Sequence, residues 1–444
     1  MKESIALELA AVLAEDGFSL DELVVKMKAL FERDGVAGVV SLLLELVDAW
    51  LCKNIIAQSD GWRPKPCCES PHYQMQDRVE RRLRTSVGTV RLRWRRLRCS
   101  HCGRGCVPLR EFTGLKRYQP KTAELERVVA EVVAEQNYRR LSRHLALIGE
   151  IPVPKSTAHR WVMASDCDEI AVEGKHGTLL IADGTGYKRR PDPDRGLDNG
   201  GELRVALGVT CTGTVMPLGA WSGKSWSEIG AAIVPVEAEA KPIADVLVSD
   251  GEPGLAEGLA HLVWDHQRCH WHQVHDLDRF MWLDGAGKAE RRTTQAQLAG
   301  IIGIELPAGD FQRVSEQDKG TIHRATVAAE QQLEALAKTL EVRGYERAAR
   351  YVGYAKERLF TYVRWWLKFG LVVPRVSSMI ERLMRELARR LKRIAFGWSE
   401  RGAAKMARII IKRVTSAREW AAYWHARLRI TGKVTLTLGR ISAL

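Results

Sequence analysis

The stretch Leu179-Leu180-Ile181-Ala182-Asp183-Gly184-Thr185-Gly186-Tyr187 decides how this chain is read. Four apolar residues run directly into an aspartate and a glycine. A short apolar run bounded by a turn signal has the form of a buried strand. Its acid then stands at the strand end, where open α/β sheets receive their ligands. Val246-Leu247-Val248-Ser249 ends the same way, on Asp250-Gly251. One Asp-Gly marks nothing more than a turn. Two of them at strand ends, followed by Glu381 near the start of a basic helix, bring three acids toward one place.

Working outward, 203–211 and 215–222 read as further strands, with a Pro/Asp/Gly loop at 190–201. A helix at 227–233 leads to the strand at 246–249, then a helix at 253–262 and a short apolar run near Val263. The order β-β-β-α-β-α-β is that of a ribonuclease-H-like core, with Asp183 on its central strand. An Ala-rich helical insertion at 285–371, clearest at 325–340 and 345–369, interrupts that core. Pro374 resists a helix interior, and a last helix follows at 377–395. There Ile380, Leu383, Met384, Leu387 and Leu391 form an apolar stripe with Glu381 at its edge. Glu386 falls about 140° around from Glu381, so Glu381 is the acid expected to face the sheet. Its oxygens are expected within about 6 Å of those of Asp183, a gap one bridging ion spans with bonds near 2.1 Å. Three carboxylates suit Mg²⁺ (or Mn²⁺), and two such ions stabilise both oxygens of an in-line phosphoryl displacement.

The N-terminal third has a different texture. Helical spacing of Leu20, Leu23, Val24, Met27 and Leu30 is broken at Asp34-Gly35 and resumes to Ile56. After a Pro/Gly-rich break at 60–66, Val90, Leu92 and Trp94 alternate with Arg91, Arg93 and Arg95, the period of a strand with one basic face. Cys99-Ser100-His101-Cys102 is half of a zinc site. Cys67-Cys68 with His72 offer the other half, one of the two adjacent cysteines being expected to serve, and Cys106 is a spare. Helices at 137–145 and from Ser156, the expected N-cap, flank a turn at 149–154. They resemble a helix-turn-helix whose second helix offers Lys155, Thr157, His159 and Arg160 to a groove. The expected fold is therefore multi-domain α/β. Its segments are 1–58 helical, 59–118 zinc-ribbon-like, 119–170 helix-turn-helix, 176–284 core, 285–371 insertion, 372–413 the rest of the core, and 414–444 a tail.

Charge supports a nucleic-acid partner. Of a net +14, the segment 78–117 holds 13 Lys/Arg against 2 acids, and 381–413 holds 11 against 3. Such localised charge is what displaces counterions from a phosphate backbone. Arg389, Arg390 and Arg393 are further candidate DNA contacts. Glu3, Glu8 and Glu15 interrupt any signal peptide, and the apolar run 39–51 is too short to span a bilayer and carries Glu45 and Asp48. Nine cysteines without a secretory signal point to metal ligands or reduced thiols. A cytoplasmic protein with no membrane partner is expected.

Four stretches carry a family resemblance. They are Ala182-Asp183-Gly184-Thr185, Val248-Ser249-Asp250-Gly251, Gln267-Arg268-Cys269-His270-Trp271-His272, and Ile380-Glu381-Arg382-Leu383-Met384-Arg385-Glu386 with the basic run 388–394 behind it. Together they resemble the Mutator-like group of bacterial insertion-sequence transposases, with Cys-x-x-His after the second aspartate the most distinctive. Ser377-Ser378 stand where the family often has Asn. The resemblance implies metal-dependent cleavage at transposon ends and strand transfer into target DNA. It makes Asp183, Asp250 and Glu381 the ligands of two Mg²⁺ (or Mn²⁺) ions. Double-stranded DNA is the implied partner, a homodimer or higher oligomer the implied state, and the bacterial nucleoid the implied location. Cys269 and His272, on one helical face, are read as a packing pair behind the catalytic strand. Alternatives are a DNA-binding regulator on a decayed or domesticated core and a ribonuclease-H-like repair nuclease.

Overall fold

The computed structural model describes residues 35–149, 151, 153–172, 176–234, 241–393 and 397–428. The periodicity read at Leu20–Leu30 and the tail beyond 428 lie outside the described residues. Two compact units divide the chain, one ending at Ser165 and taking up again at Trp424, the other spanning Asp166–Tyr423.

In the first unit, α1 (Gly35–Ile56) precedes the hairpin of β1 (Tyr73–Thr85) and β2 (Gly88–Cys99), which short β3 (Gly105–Cys106) extends. The strands pair antiparallel from Thr85↔Gly88 to Tyr73↔Cys99, with a bulge between Met75 and Asp77. Val90, Leu92 and Trp94 point inward onto Leu51, Cys52 and Ile55 of α1, as their alternation predicts. Each such apolar side chain, once buried, contributes about 1.5–3 kcal/mol. β1 escaped the sequence reading because it is mostly Gln, Asp, Glu and Arg and buries little beyond Tyr73, Leu83 and Thr85. α1 is longer than the 39–51 run suggested: its 22 residues are long and apolar enough to cross a bilayer. In this unit its Asp48 carboxylate is buried and accepts hydrogen bonds from the Arg95 amide and guanidinium. After α2 (Pro108–Thr113) come α3 (Ala123–Glu135), α4 (Tyr138–Gly149) and α5 (Lys155–Ala164).

The second unit is built on a five-stranded sheet. β4 (Gly177–Lys188), β5 (Gly200–Val209), β6 (Val215–Ser222), β7 (Ala244–Ser249) and β8 (Val263–Arg268) lie in the order β6-β5-β4-β7-β8. The first three pair antiparallel, and β7 and β8 add in parallel on the other side of β4. Asp183 is therefore on the central strand. On one face, Leu180, Ala182, Ala206 and Leu247 pack with α6 (Trp226–Ile233) and α7 (Leu255–Leu259). Those two helices cross so closely that a Cβ on Gly230 would lie 2.3 Å from the Gly258 carbonyl oxygen. Side chains alternate along a strand, so Asp183 belongs to the opposite face.

Five helices follow the sheet strands: α8 (His270–Leu283), α9 (Lys288–Ile302), α10 (Glu316–Val342), α11 (Glu346–Leu359) and α12 (Thr361–Phe369). The single helix expected over 345–369 is broken at Phe360, which is fully buried. The break is fastened to β8: Gln267 donates to the Leu359 carbonyl and accepts from the Tyr362 amide, and Thr361 donates to the His266 carbonyl. Then α13 (Ser378–Leu391) packs against β4, and α14 (Glu400–Thr415) against β5 and β6. The stripe Ile380, Leu383, Met384, Leu387 and Leu391 is buried as expected.

Candidate functional site

β4 and β7 run parallel and their pairing stops with Ala182 opposite Ser249, so Asp183, midway along β4, and Asp250, just past β7, are neighbours. Burial first, and the Asp250 charge second, push the Asp183 carboxyl up to about 7, against opposition from His272 and the Gly184 amide. Two carboxylates forced together this way are relieved by a cation. Asp250 accepts the Glu252 amide at 3.0 Å, which fixes the turn after β7.

Two acids that the sequence reading did not single out share this place. A Cβ on Gly184 would lie 2.9 Å from Glu252 Oε2 and 3.3 Å from Glu202 Oε1. Arg204 ties both, at 2.7 Å to Glu252 and 2.8 Å to Glu202. Burial and the Glu252 charge hold the Glu202 carboxyl above its ordinary range, Arg204 notwithstanding. The only signals in the chain were Glu252 directly after Asp-Gly and a lone acid in the second strand.

Cys269 caps α8 and is fully buried. Burial opposes its thiolate, yet hydrogen bonds with His272 and Ser377 bring the thiol below its ordinary value. His272 is correspondingly raised: burial disfavours its cation, and Cys269, Asp250 and Asp183 more than compensate. Ser377, whose hydroxyl donates to Cys269 Sγ at 3.5 Å, is the N-cap residue of α13. Cys269 and His272 therefore join the aspartate pair to the helix that carries Glu381.

Glu381 itself is half-buried in the first turn of α13. It is not among the strongest influences on Asp183, which after burial are Asp250, His272, the Gly184 amide and Glu252. Among the described residues, no three carboxylates have oxygens within 4.8 Å of one another. One ion with bonds near 2.1 Å needs its ligand oxygens within about 4.2 Å. The aspartates are assembled, and the glutamate does not close the three into one cage. Glu386 is occupied by Arg389 at 3.0 Å.

The first unit holds a second candidate metal centre. Sulfurs of Cys67, Cys68, Cys99 and Cys102 all lie within 4.8 Å of one another. Separations of 3.9 Å (Cys67–Cys68), 3.8 Å (Cys68–Cys99) and 3.4 Å (Cys67–Cys102) suit tetrahedral zinc, whose bonds near 2.3 Å set sulfurs about 3.8 Å apart. Both adjacent cysteines belong to the cluster, contrary to expectation, because residues 67–70 form a bend that does not throw neighbouring side chains to opposite faces. His72 is no part of the set: it is exposed, with its ring 3.2 Å from the Ser70 carbonyl. Cys106 is in the apolar core instead. Amide groups of Cys102, and then of His101 and His72, bring the Cys99 thiol down to about 6 despite burial, whereas burial and the neighbouring sulfurs push Cys68 up to about 12, so Cys99 is the sulfur its surroundings ready to ionise first.

Of the candidate DNA contacts, Lys155, His159 and Arg160 are exposed on α5 and Thr157 is half-buried. The helix begins at Lys155 with Pro154 as N-cap, so Ser156 does not cap it. Arg91 and Arg93 are exposed, whereas Arg95 is committed to buried Asp48 at 2.8 Å. Arg389 and Arg393 are exposed, but Arg390 is 2% exposed and lies over the Trp398 ring, out of reach of a phosphate.

No protein-family model and no curated protein matches this chain. Among solved structures it is similar to the Drosophila P element transposase strand transfer complex, at 11% identity and a TM-score of 0.23, over 72% of this chain and 86% of that one.

Proposed function

We propose that this chain is a DNA transposase of the Asp-Asp-Glu type on a ribonuclease-H-like core, resembling the Mutator-like group. The observation that carries the reading is Asp183 and Asp250 side by side where the parallel pairing of β4 and β7 stops, and there burial and mutual repulsion call for a cation. Strand order with the first strand central and three antiparallel strands before two parallel ones supports the core assignment.

In this reading Asp183 and Asp250 would hold Mg²⁺ (or Mn²⁺), with Glu381 as the third ligand. When bound, the metal supplies Lewis-acid activation of water or a 3′-hydroxyl and neutralises charge at the scissile phosphate. His272 offsets part of the carboxylate charge, and the Cys269–Ser377 bond sets where α13 begins. Arg204 restrains Glu202 and Glu252 beside the pair. The four-cysteine module, Arg91 and Arg93, and the helix-turn-helix bind double-stranded DNA at the element ends, with affinity falling steeply as salt rises. The segment layout read from the sequence, a homodimeric or higher assembly, and a place in the bacterial cytoplasm on the nucleoid belong to the same proposal.

The test is incubation of the full chain with its own genomic flanks and Mg²⁺ or Mn²⁺. Cleavage at the element ends followed by joining to a second DNA is expected. Cleavage without joining would make it a nuclease. Binding without cleavage would make it a regulator.

A further inference from the structure

The turn that carries Asp250 is shaped around a buried arginine. Gly251 has φ +80°, and a Cβ built on it would fall 0.7 Å from Arg268 Nη1. The guanidinium thus occupies the place of the missing side chain. Glycine is needed there for two reasons, the backbone angle and the arginine. Arg268 ends β8, next to β7, with Ser249 opposite it. It is 7% exposed, yet among the described residues it has no carboxylate within ion-pair distance. Its other nitrogens are engaged with neutral groups: Nε donates to Gln273 Oε1 at 3.2 Å, and Nη2 donates to the Tyr351 hydroxyl at 3.0 Å. Tyr351 in turn donates to the His272 carbonyl at 3.2 Å, and the guanidinium lies over its ring.

A guanidinium does not lose its proton in a protein, so its charge persists when buried. Leaving such a charge without a partner is costly. Here two nitrogens are held by fixed neutral acceptors and the third is turned to the backbone of the aspartate turn. That is a preorganised donor facing an anion that arrives from outside.

We propose that Arg268 Nη1 contacts a non-bridging phosphate oxygen of the nucleic-acid strand engaged at Asp183 and Asp250. The inference rests on the phosphoryl-transfer reading above and adds a substrate-contact residue to it. The phosphate approaches along Gly251, where the absence of a side chain keeps the guanidinium reachable. Gln273 and Tyr351 set the plane of the fork, so the helical insertion takes part in placing the substrate through Tyr351. Lysine keeps the charge but loses the fork and the two fixed bonds.

The experiment uses the full chain with Mn²⁺, supercoiled plasmid DNA as substrate, and bis(p-nitrophenyl) phosphate as a small phosphodiester. Mn²⁺ affinity is followed by electron paramagnetic resonance. Arg268→Lys is expected to melt near the parent temperature and bind Mn²⁺ within about twofold. Its kcat on both substrates should fall roughly 100-fold, the usual effect of deleting one preorganised donor. Arg268→Ala should regain activity when guanidinium chloride is added at millimolar concentration, which a purely structural role would not produce. Unchanged turnover in Arg268→Lys, or loss of Mn²⁺ binding in parallel with turnover, overturns the proposal. Should Arg268→Ala not fold, the lysine variant decides. Asp250→Ala separates the two readings. If it loses Mn²⁺ binding and cleavage while Arg268→Lys retains both, only the arginine contact fails. If the parent chain neither binds Mn²⁺ nor nicks DNA, the phosphoryl-transfer reading fails and this one with it.

Discussion

The four cysteines and the carboxylate pair are two candidate metal centres built on opposite plans. Cys67, Cys68, Cys99 and Cys102 come from one bend and one knuckle at the open end of a single hairpin, and their sulfurs stand at zinc-binding distance. Asp183, Asp250 and Glu381 come from a central strand, its parallel neighbour and a helix beyond a long insertion, and their oxygens do not all fall within 4.8 Å of one another. Local geometry alone is enough to hold the first set. A turn fixes sulfurs against the backbone amides of its own residues, and the amide of Cys102 does so for Cys99. Carboxylates on separate elements repel, and the sheet alone brings them only as near as burial and repulsion allow.

Breaking the cysteine centre should have the largest effect. Chelation of zinc, or Cys99→Ser, is expected to unfold the hairpin, since structural zinc contributes on the order of 10 kcal/mol to small modules. Metal analysis should show one zinc per chain in the parent and none in the variant, with amide exchange of β1 and β2 accelerated. A chain that contains no zinc yet keeps protected strands would show that the hairpin holds its sulfurs together without metal.

Next come the aspartates. Asp183→Asn and Asp250→Asn should each lower DNA cleavage by roughly 10³-fold or more while leaving DNA affinity within about threefold, because these side chains serve metal rather than phosphate. Gel-based cleavage with parallel binding isotherms would check this, and activity above a few per cent in either variant would remove the metal role.

Glu381→Gln sharpens the contrast between assembled and unassembled ligands. Cleavage should fall by about 100-fold, whereas Mn²⁺ affinity of the DNA-free protein should change by less than about threefold. Equal loss of both would mean that Glu381 already closes the site at rest.

A pH series examines the repulsion itself. The folded-state value of Asp183 is raised from 3.8 to about 7, so protonation of this group favours the native state. That stabilisation is complete below about pH 4 and is lost as pH rises through 7. Metal-free Asp183→Asn should therefore match the parent near pH 4 and exceed it above pH 7, by on the order of 4 kcal/mol. Equal denaturant midpoints at both pH values would show that the pair carries no strain.

The smallest effect is expected from Ser377→Ala, which removes the donor to Cys269 at the start of α13. A loss of about 1 kcal/mol in stability and a several-fold drop in cleavage would fit a positioning bond. Rescue by Ser377→Thr separates the hydroxyl from the volume it fills.

Much of this was legible before the structure. Apolar runs ending in Asp-Gly located β4 and β7, alternation located β2 and its basic face, and the stripe on α13 was read residue by residue. Those signals are local: a strand shows a period of two and a helix a period near 3.6 whatever they pack against. β1 was missed because a strand exposed along most of its length has no apolar period. The break at Phe360 was missed because the buried amide of Gln267, distant in sequence, provides the compensating hydrogen bonds.

The order of the core strands β4 to β8, Asp250 as an acid just past its strand, and the Cys-x-x-Cys knuckle with its basic surroundings were already in the sequence. Only the tertiary structure decided that Cys68 joins Cys67 and His72 does not, and that Arg95 and Arg390 are used internally. It alone placed Glu202, Glu252 and Arg268 around the aspartate pair. The physical reason is that a charged side chain's role depends on what else is within a few ångströms, and those neighbours come from elements tens to hundreds of residues away.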